Sequence, residues 1–220
     1  MREYHKIQTV FKRNPETKFK TLLEGDYSLP EFKFLKDNTW VFTEKIDGTN
    51  IRIHKIPELK LPAFGGRTEN AQIPTFLYEK LNSIFVNDML HQTFPDCTVT
   101  LYGEGYGAKI QSKGKQYIPD GVDFVLFDVQ INDWWIKRED VEDIGEKLGL
   151  KVVPIIGEGN LDDMVALCKQ RFNSKWGMFE AEGIVARPKI ELKTRSGDRI
   201  ITKLKFKDFK EPTKKEGGGE

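Results

Sequence analysis

The chain has 220 residues, with 35 Lys and Arg against 34 Asp and Glu, and a formal net charge of +1. That length suits one domain with a small appendage, and Phe, Leu, Ile and Val are plentiful enough for a core. Near-neutrality excludes a polycation that would meet nucleic acid over its whole surface. Cys97 and Cys168 stand far apart without a C-x-x-C pair, and His5, His54 and His91 have no metal-ligand spacing. No leader and no apolar run long enough to span a bilayer is read, so a cytoplasmic monomer is expected.

In chain order, residues 1–38 predict a short strand and loops. Thr39 to Thr43 and Ile51 to His54 read as strands, separated by Glu44-Lys45-Ile46-Asp47-Gly48-Thr49-Asn50. Two readings of that stretch stay open. One is a β-hairpin turning at Asp47-Gly48. The other is a nucleophilic lysine at a strand end, its ammonium disfavoured by burial and by neighbouring cations, with Gly48 letting backbone approach a ligand. Gly65-Gly66 marks a turn. Apolar residues from Ile73 to Leu90 recur at helical spacing. Cys97 to Tyr102 alternates as a strand that ends at Gly103-Glu104-Gly105, and a loop with Lys109, Lys113 and Lys115 follows. Phe124 to Val129 is a continuous apolar run, as in a strand buried on both faces. Arg138 to Leu148 predicts a helix stopped by Gly149. Val152 to Ile156 is extended, and Asn160 caps a helix running to about Phe172. The last strands are Glu182–Arg187 and Arg199–Phe206. Strands predominate without regular βαβ alternation, which predicts an α+β fold of antiparallel sheets flanked by helices. From Lys189 to Lys215 there are ten Lys or Arg against four Asp or Glu, a basic stripe suited to phosphates or simply to solvent. Residues 210–220 read as a disordered tail.

Lys45-Ile46-Asp47-Gly48-Thr49-Asn50 resembles motif I of the RNA ligases in the covalent nucleotidyltransferase superfamily. DNA ligases and capping enzymes typically end this motif in Arg, so Asn50 points to RNA ligases. The remaining motifs follow in order. Arg67 resembles motif Ia, Glu104 motif III, Phe127-Asp128 motif IIIa, Glu182-Gly183-Ile184-Val185 motif IV, and Lys203-Leu204-Lys205 motif V. The resemblance covers residues 45–209. It implies a nucleotidyltransferase domain over 1–209 without the OB-fold domain of DNA ligases: either a minimal ligase, the favoured expectation, or a piece of a longer chain.

The resemblance also implies chemistry. Lys45 would attack the α-phosphate of ATP and carry AMP. Lys203 and Lys205, two apart on a strand and so on one face, would stabilise charge on that phosphate. Glu182 would hold Mg²⁺ or Mn²⁺, and Asp47 would position Lys45 or its metal. Glu104 would accept from the ribose and Phe127 would stack on adenine. Thr43 and Glu44 would touch the adenine edge. Asn50 and Arg67 would bind RNA ends, with the 5′-phosphate and 3′-OH on single strands or a nicked duplex. Bland alternatives stand beside each: Glu182 paired with Arg187 or a nearby Lys, Glu104 a turn carboxylate, Phe127 mere core, Arg67 paired with Glu69, and Lys203 with Lys205 on a solvent-facing strand. The rival functions are a small ATP-dependent DNA ligase and a non-catalytic nucleotide- or RNA-end-binding module.

Overall fold

The computed structural model describes residues 2–86 and 88–209, so the expected tail at 210–220 lies outside it. The elements run β1 (Gln8–Thr9), β2 (Phe11–Arg13), β3 (Leu22–Tyr27), α1 (Pro30–Phe34), β4 (Trp40–Lys45) and β5 (Thr49–Lys55). Next come β6 (Ala63–Gly65), α2 (Thr75–Phe85), α3 (Met89–Thr93), β7 (Val99–Gly107), α4 (Gly114–Tyr117), β8 (Val122–Ile131) and β9 (Trp134–Trp135). The remainder are α5 (Arg138–Lys147), β10 (Lys151–Val152), β11 (Ile155–Gly159), α6 (Leu161–Gln170), β12 (Gly183–Pro188) and β13 (Thr202–Lys205). The fold is α+β with mainly antiparallel pairing, as expected; β1 on β13 and β10 on β8 are parallel. The backbone clusters into two compact units, and the chain passes between them after Lys45.

One unit comprises residues 6–45, 155–173 and, among the described residues, 180–209. Its main sheet has the order β1-β13-β12-β4-β11, and β2 with β3 forms a separate ribbon. Alternation decides its faces. Trp40 and Phe42 of β4, Ile184 and Ala186 of β12, and Leu204 of β13 enter one core with Leu161, Met164, Val165 and Cys168 of α6. Lys45, Lys203 and Lys205, out of phase with that set, are only partly buried. The Asn160 cap is as expected: its side chain accepts from Asp163 N–H at 2.9 Å, and its own N–H donates back to the Asp163 carboxylate.

The other unit comprises residues 46–154 and 174–179, with 2–5 among the described residues. Its sheet has the order β10-β8-β7-β5-β6, with β9 on β8. Ile51 and Ile53, Val99 and Leu101, and Phe124, Leu126 and Val129 bury one face against Leu77, Leu81 and Phe85 of α2 and Val141 and Ile144 of α5. Lys55 is fully buried, and its ammonium donates to the carbonyls of Phe94, Pro95 and Cys97, so the charge is solvated by backbone at the end of α3.

Four expectations about elements need correction. β4 and β5 do not form a hairpin, because they belong to different sheets. The segment from Ile73 to Leu90 is two helices, broken before Asp88, which sits in the left-handed region at φ 54°. The strand from Val99 does not stop at Tyr102; β7 runs on through Gly103-Glu104-Gly105 to Gly107. These glycines serve close packing within the sheet, since a Cβ at Gly103 would stand 2.2 Å from the Phe124 ring. Finally, the extended stretch around Pro154 is divided between β10 and β11, which lie in different sheets.

Candidate active site

β4, β12 and β13 are neighbours in one sheet, and their register lays out two rows on the face opposite the core. Lys45, Gly183 and Lys205 form one row; Thr43, Val185 and Lys203 form the next. The middle residue of the first row has no side chain, so nothing stands between the two lysines above the sheet. A side chain there is excluded on steric grounds, because a Cβ on Gly183 would meet the Leu204 carbonyl oxygen at 2.1 Å. Glu182, just before β12, supplies the missing group. Its Oε2 lies 2.6 Å from Lys45 Nζ and its Oε1 2.5 Å from Lys205 Nζ. Phe206 N–H donates to the Glu182 carbonyl at 3.1 Å, which fixes the backbone from which the carboxylate extends.

Three charged side chains thus share a small, mostly buried volume: 19 % of the Lys45 side chain, 22 % of Lys205 and 12 % of Glu182 are exposed. Burial pushes the Glu182 carboxyl up, but the Lys45 and Lys205 ammonium groups outweigh it and hold the group below the usual carboxylate value. Glu182 does pair with neighbouring lysines, as the bland alternative allowed, yet its partners are the two lysines that motifs I and V single out. Lys203 shares the face of Lys205, as its spacing predicts.

The other members of the motif set stand elsewhere. Thr43 Oγ1 donates to the Val185 carbonyl at 3.1 Å. Glu44 falls on the opposite face of β4 from Lys45, in phase with Phe42, and is 1 % exposed. That places its side chain on the core face, away from the lysine row. Asp47 Oδ2 accepts from Lys113 N–H at 3.2 Å, so this carboxylate anchors the loop before α4. Gly48 serves a close approach to its own chain: a Cβ there would stand 2.3 Å from the Gly105 carbonyl oxygen and 2.6 Å from Glu104 Cγ.

Asn50 and Glu104 are direct partners across β5 and β7, on the face opposite the α2 core. Glu104 is half-buried and stands within a strand. The Asn50 Oδ1 is buried and, among the described residues, receives no hydrogen bond; a buried carbonyl oxygen in that state is incomplete until a donor arrives. Phe127 is the extra residue of a bulge, since Tyr102 pairs with Asp128 while Gly103 pairs with Leu126. Bulges re-aim side chains, and here Phe127 joins Val125, Tyr106 and Val153 in a small cluster. Arg67 is exposed and, among the described residues, makes no ion pair with Glu69.

Sequence reasoning missed the supports of these residues. Tyr4 donates to Asp128 Oδ2 at 2.7 Å and packs its ring edge-on to Phe127, centroids 5.1 Å apart. Arg52, 2 % exposed, donates Nε to the Gly66 carbonyl at 2.6 Å and so pins the turn that carries Arg67. The odd polar residue on a central strand, Arg52 amid Ile51 and Ile53, was the available signal for the second; nothing in the local pattern near Tyr4 points to the first.

Among the described residues no group of three or more His, Cys, Asp or Glu could hold a metal ion by itself. Nor, among the described residues, is any helix long and apolar enough to cross a membrane.

Comparison with known proteins gives the family and the fold. A sequence model of the RNA ligase family matches residues 38–205, which includes every motif position from Lys45 to Lys205. The chain belongs to the RNA ligase family. Solved structures of Naegleria gruberi RNA ligase share its fold. An apo variant is 17 % identical with a TM-score of 0.64 over 81 % of this chain and 52 % of that one. A variant with ATP and Mn is 18 % identical with a TM-score of 0.64 over 90 % and 59 %, and one with AMP and Mn is 16 % identical with a TM-score of 0.63 over 90 % and 55 %. The chain therefore spans a little over half the length of these ligases. A search of curated protein sequences gave no significant match.

Proposed function

We propose that the chain is an ATP-dependent RNA ligase that works through a lysyl-AMP intermediate at Lys45. The observation that carries this reading is the Lys45–Glu182–Lys205 cluster, two ammonium groups on one buried carboxylate with Lys203 on the same face. Support also comes from family membership and from the ATP, AMP and Mn named for the Naegleria gruberi structures.

In the first step Lys45 attacks as the neutral amine, after giving one proton to solvent. The Nζ–P bond forms as the bond from the α-phosphorus to the bridging oxygen breaks; pyrophosphate leaves with that electron pair, and Nζ sheds a second proton. Lys203 and Lys205 face the charge that grows on the phosphate oxygens. Next, an oxygen of the RNA 5′-phosphate attacks the same phosphorus, the P–N bond breaks, and Lys45 takes back a proton. A 3′-OH then attacks the 5′-phosphorus, loses its proton, and AMP leaves. Glu104 accepts from the ribose and Phe127 stacks on adenine; Asn50 and Arg67 hold the RNA ends, Arg67 by the planar fork of donors that suits phosphate.

A divalent cation, Mg²⁺ or Mn²⁺, would be held by Glu182, because one carboxylate with water and phosphate oxygens suffices for such ions. When bound it would offset phosphate charge. Both candidate carboxylates are already engaged, Glu182 with Lys45 and Lys205 and Asp47 with the Lys113 N–H, so either would share an oxygen with the ion. During the first step Glu182 keeps Lys205 in place and releases Lys45, whose ion pair requires the ammonium form that cannot attack.

The test is incubation with ATP, GTP or NAD labelled in the transferable nucleotide, with Mg²⁺ or Mn²⁺, followed by denaturing electrophoresis. Label from ATP should remain on the protein, be acid-labile as a phosphoramidate is, and be absent in Lys45→Ala. Label that survives the substitution would show another nucleophile. Binding without label would favour a non-catalytic module; in a sealing assay on nicks that differ only in the sugars at the 3′-OH side, indifference to those sugars would favour a DNA ligase.

A further inference from the structure

We propose that Arg13 and Asp208, neither of them a motif position, are positioning residues that hold Lys205 against Glu182 for the transfer of AMP. The inference rests on the lysyl-AMP reading above and concerns how its second lysine is held.

Lys205 is the last residue of β13, where regular strand pairing stops and the chain turns through Phe206–Phe209. An end residue with a long side chain has no reason to keep one orientation. Two contacts fix this one. Its N–H donates to Asp208 Oδ2 at 2.9 Å, closing the turn back onto the strand end. Its ammonium reaches Glu182 Oε1 at 2.5 Å, and the next N–H, that of Phe206, holds the Glu182 carbonyl. The turn and the carboxylate are therefore one frame, and Asp208 is its hinge pin.

Asp208 is itself costly to place. Its side chain is 1 % exposed, and a buried carboxylate needs a counter-charge and filled lone pairs. Arg13, from β2, supplies both: Nη2 donates to Asp208 Oδ1 at 3.0 Å. Arg13 is held in turn, because Nη1 donates to the Phe19 carbonyl at 3.1 Å in a turn where Lys18 and Phe19 both adopt the left-handed region. A neutral side chain would close the turn as well as Asp208 does. A charged, buried pair linking the ribbon of β2 and β3 to the end of β13 goes beyond turn closure. It ties the position of Lys205 to a ribbon whose Phe11 and Leu22 enter the core of the unit, in the way that supporting contacts orient reactive side chains elsewhere.

The experiment compares wild type with Arg13→Met, Arg13→Lys and Asp208→Ala. Single-turnover lysyl-AMP formation is followed across ATP concentration, and amide exchange at Lys205 is followed by NMR. Arg13→Met and Asp208→Ala should lower the maximal rate about tenfold with half-saturating ATP unchanged, because the loss is of alignment and not of binding. Arg13→Lys should recover most of the rate. Lys205 N–H should exchange faster in both impaired variants while amides of α6 keep their protection. An unchanged rate and unchanged Lys205 exchange in Arg13→Met, a variant at a one-third exposed side chain that leaves the core intact, would overturn the proposal. So would a loss of protection shared by α6, which would mark a merely structural role. If wild type itself takes no label, the lysyl-AMP reading fails instead, and the exchange measurement alone decides whether Arg13 and Asp208 hold Lys205.

Discussion

Glu182 lies between two ammonium groups, and that geometry makes acid the sensitive side of this site. A carboxyl held below its usual value of 4.5 binds its proton more weakly in the folded chain than in the unfolded one. Its contribution to stability is complete above the unfolded value and drains away as pH falls through the lower, folded value. Glu182→Gln removes the titration and leaves Lys45 and Lys205 without their shared anion. We expect that variant to be less stable at neutral pH by about 1–3 kcal/mol. The gap between wild type and variant should narrow as pH falls below the usual carboxyl value and through the lower, folded one. Denaturant unfolding of both proteins across that range is the measurement, and parallel curves would mean that Glu182 is not held by the lysines. At Asn50 and Arg67 the expected loss is of a different step. Among the described residues the Asn50 oxygen receives no hydrogen bond, and the Arg67 side chain is exposed, so both side chains are open to a ligand. Asn50→Ala and Arg67→Ala should still form lysyl-AMP yet lose at least about tenfold in sealing a pre-adenylylated strand. Equal losses in both assays would assign these residues to ATP or to the fold.

At the scale of elements, what the sequence revealed depended on how local the cause was. The Asn160 cap needs only Asn at one position and Asp163 three further on, and it was read correctly. Asn160→Ala should cost about 1 kcal/mol in urea unfolding, with Asp163→Ala costing less because only the return hydrogen bond is lost. A neutral Asn160→Ala would mean that α6 is held by its core contacts alone. The one-face placement of Lys203 and Lys205 was equally legible, because strand alternation is local. Pairing was not. Nothing in Lys45-Ile46-Asp47-Gly48 says whether the chain turns back on itself or leaves the sheet, since a hairpin and a crossover open with the same residues. Gly103 and Gly105 looked like a turn because glycine is common in turns; in β7 they answer to Phe124 and Leu77, residues remote in sequence. Asp88 broke a helix that apolar spacing carried through, and apolar spacing does not register backbone angles. Motif order alone singled out the candidate site residues, whereas Tyr4, Arg52, Arg13 and Asp208 act through partners that only the fold brings together.

For the molecule as a whole, the proposed function requires a chain of net charge +1 to grip a polyanion. The basic stripe read from Lys189 onward is partly spent within the protein. Lys189 pairs with Glu158 at 2.8 Å, Arg199 is forked onto Glu191, and Lys205 is held by Glu182. Lys193, Arg195 and Lys207 remain exposed, as do Lys109 and Lys115 of the loop before and in α4. Each phosphate met by such a side chain releases condensed counterions, so affinity falls with salt at a slope of about 0.7–0.9 per contact. On the proposed reading, ATP capture would rely instead on Lys45, Lys205 and Glu182, which are largely shielded from solvent, where salt screens less. The two halves of the reaction should therefore separate. Lysyl-AMP formation should change less than about twofold between 50 and 200 mM salt, while sealing should fall by about tenfold or more at subsaturating RNA, as expected for two or more phosphate contacts. Reversing the exposed charges in Lys193→Glu or Lys115→Glu should lower sealing further and flatten its salt dependence, without touching lysyl-AMP formation. The measurement is a salt titration of lysyl-AMP formation, of AMP transfer to a 5′-phosphate, and of sealing of a pre-adenylylated nick, each on wild type and on the two reversed variants. Parallel curves for all three steps would show that exposed cations do not set the grip on RNA, and that binding relies on the same shielded groups that hold the nucleotide.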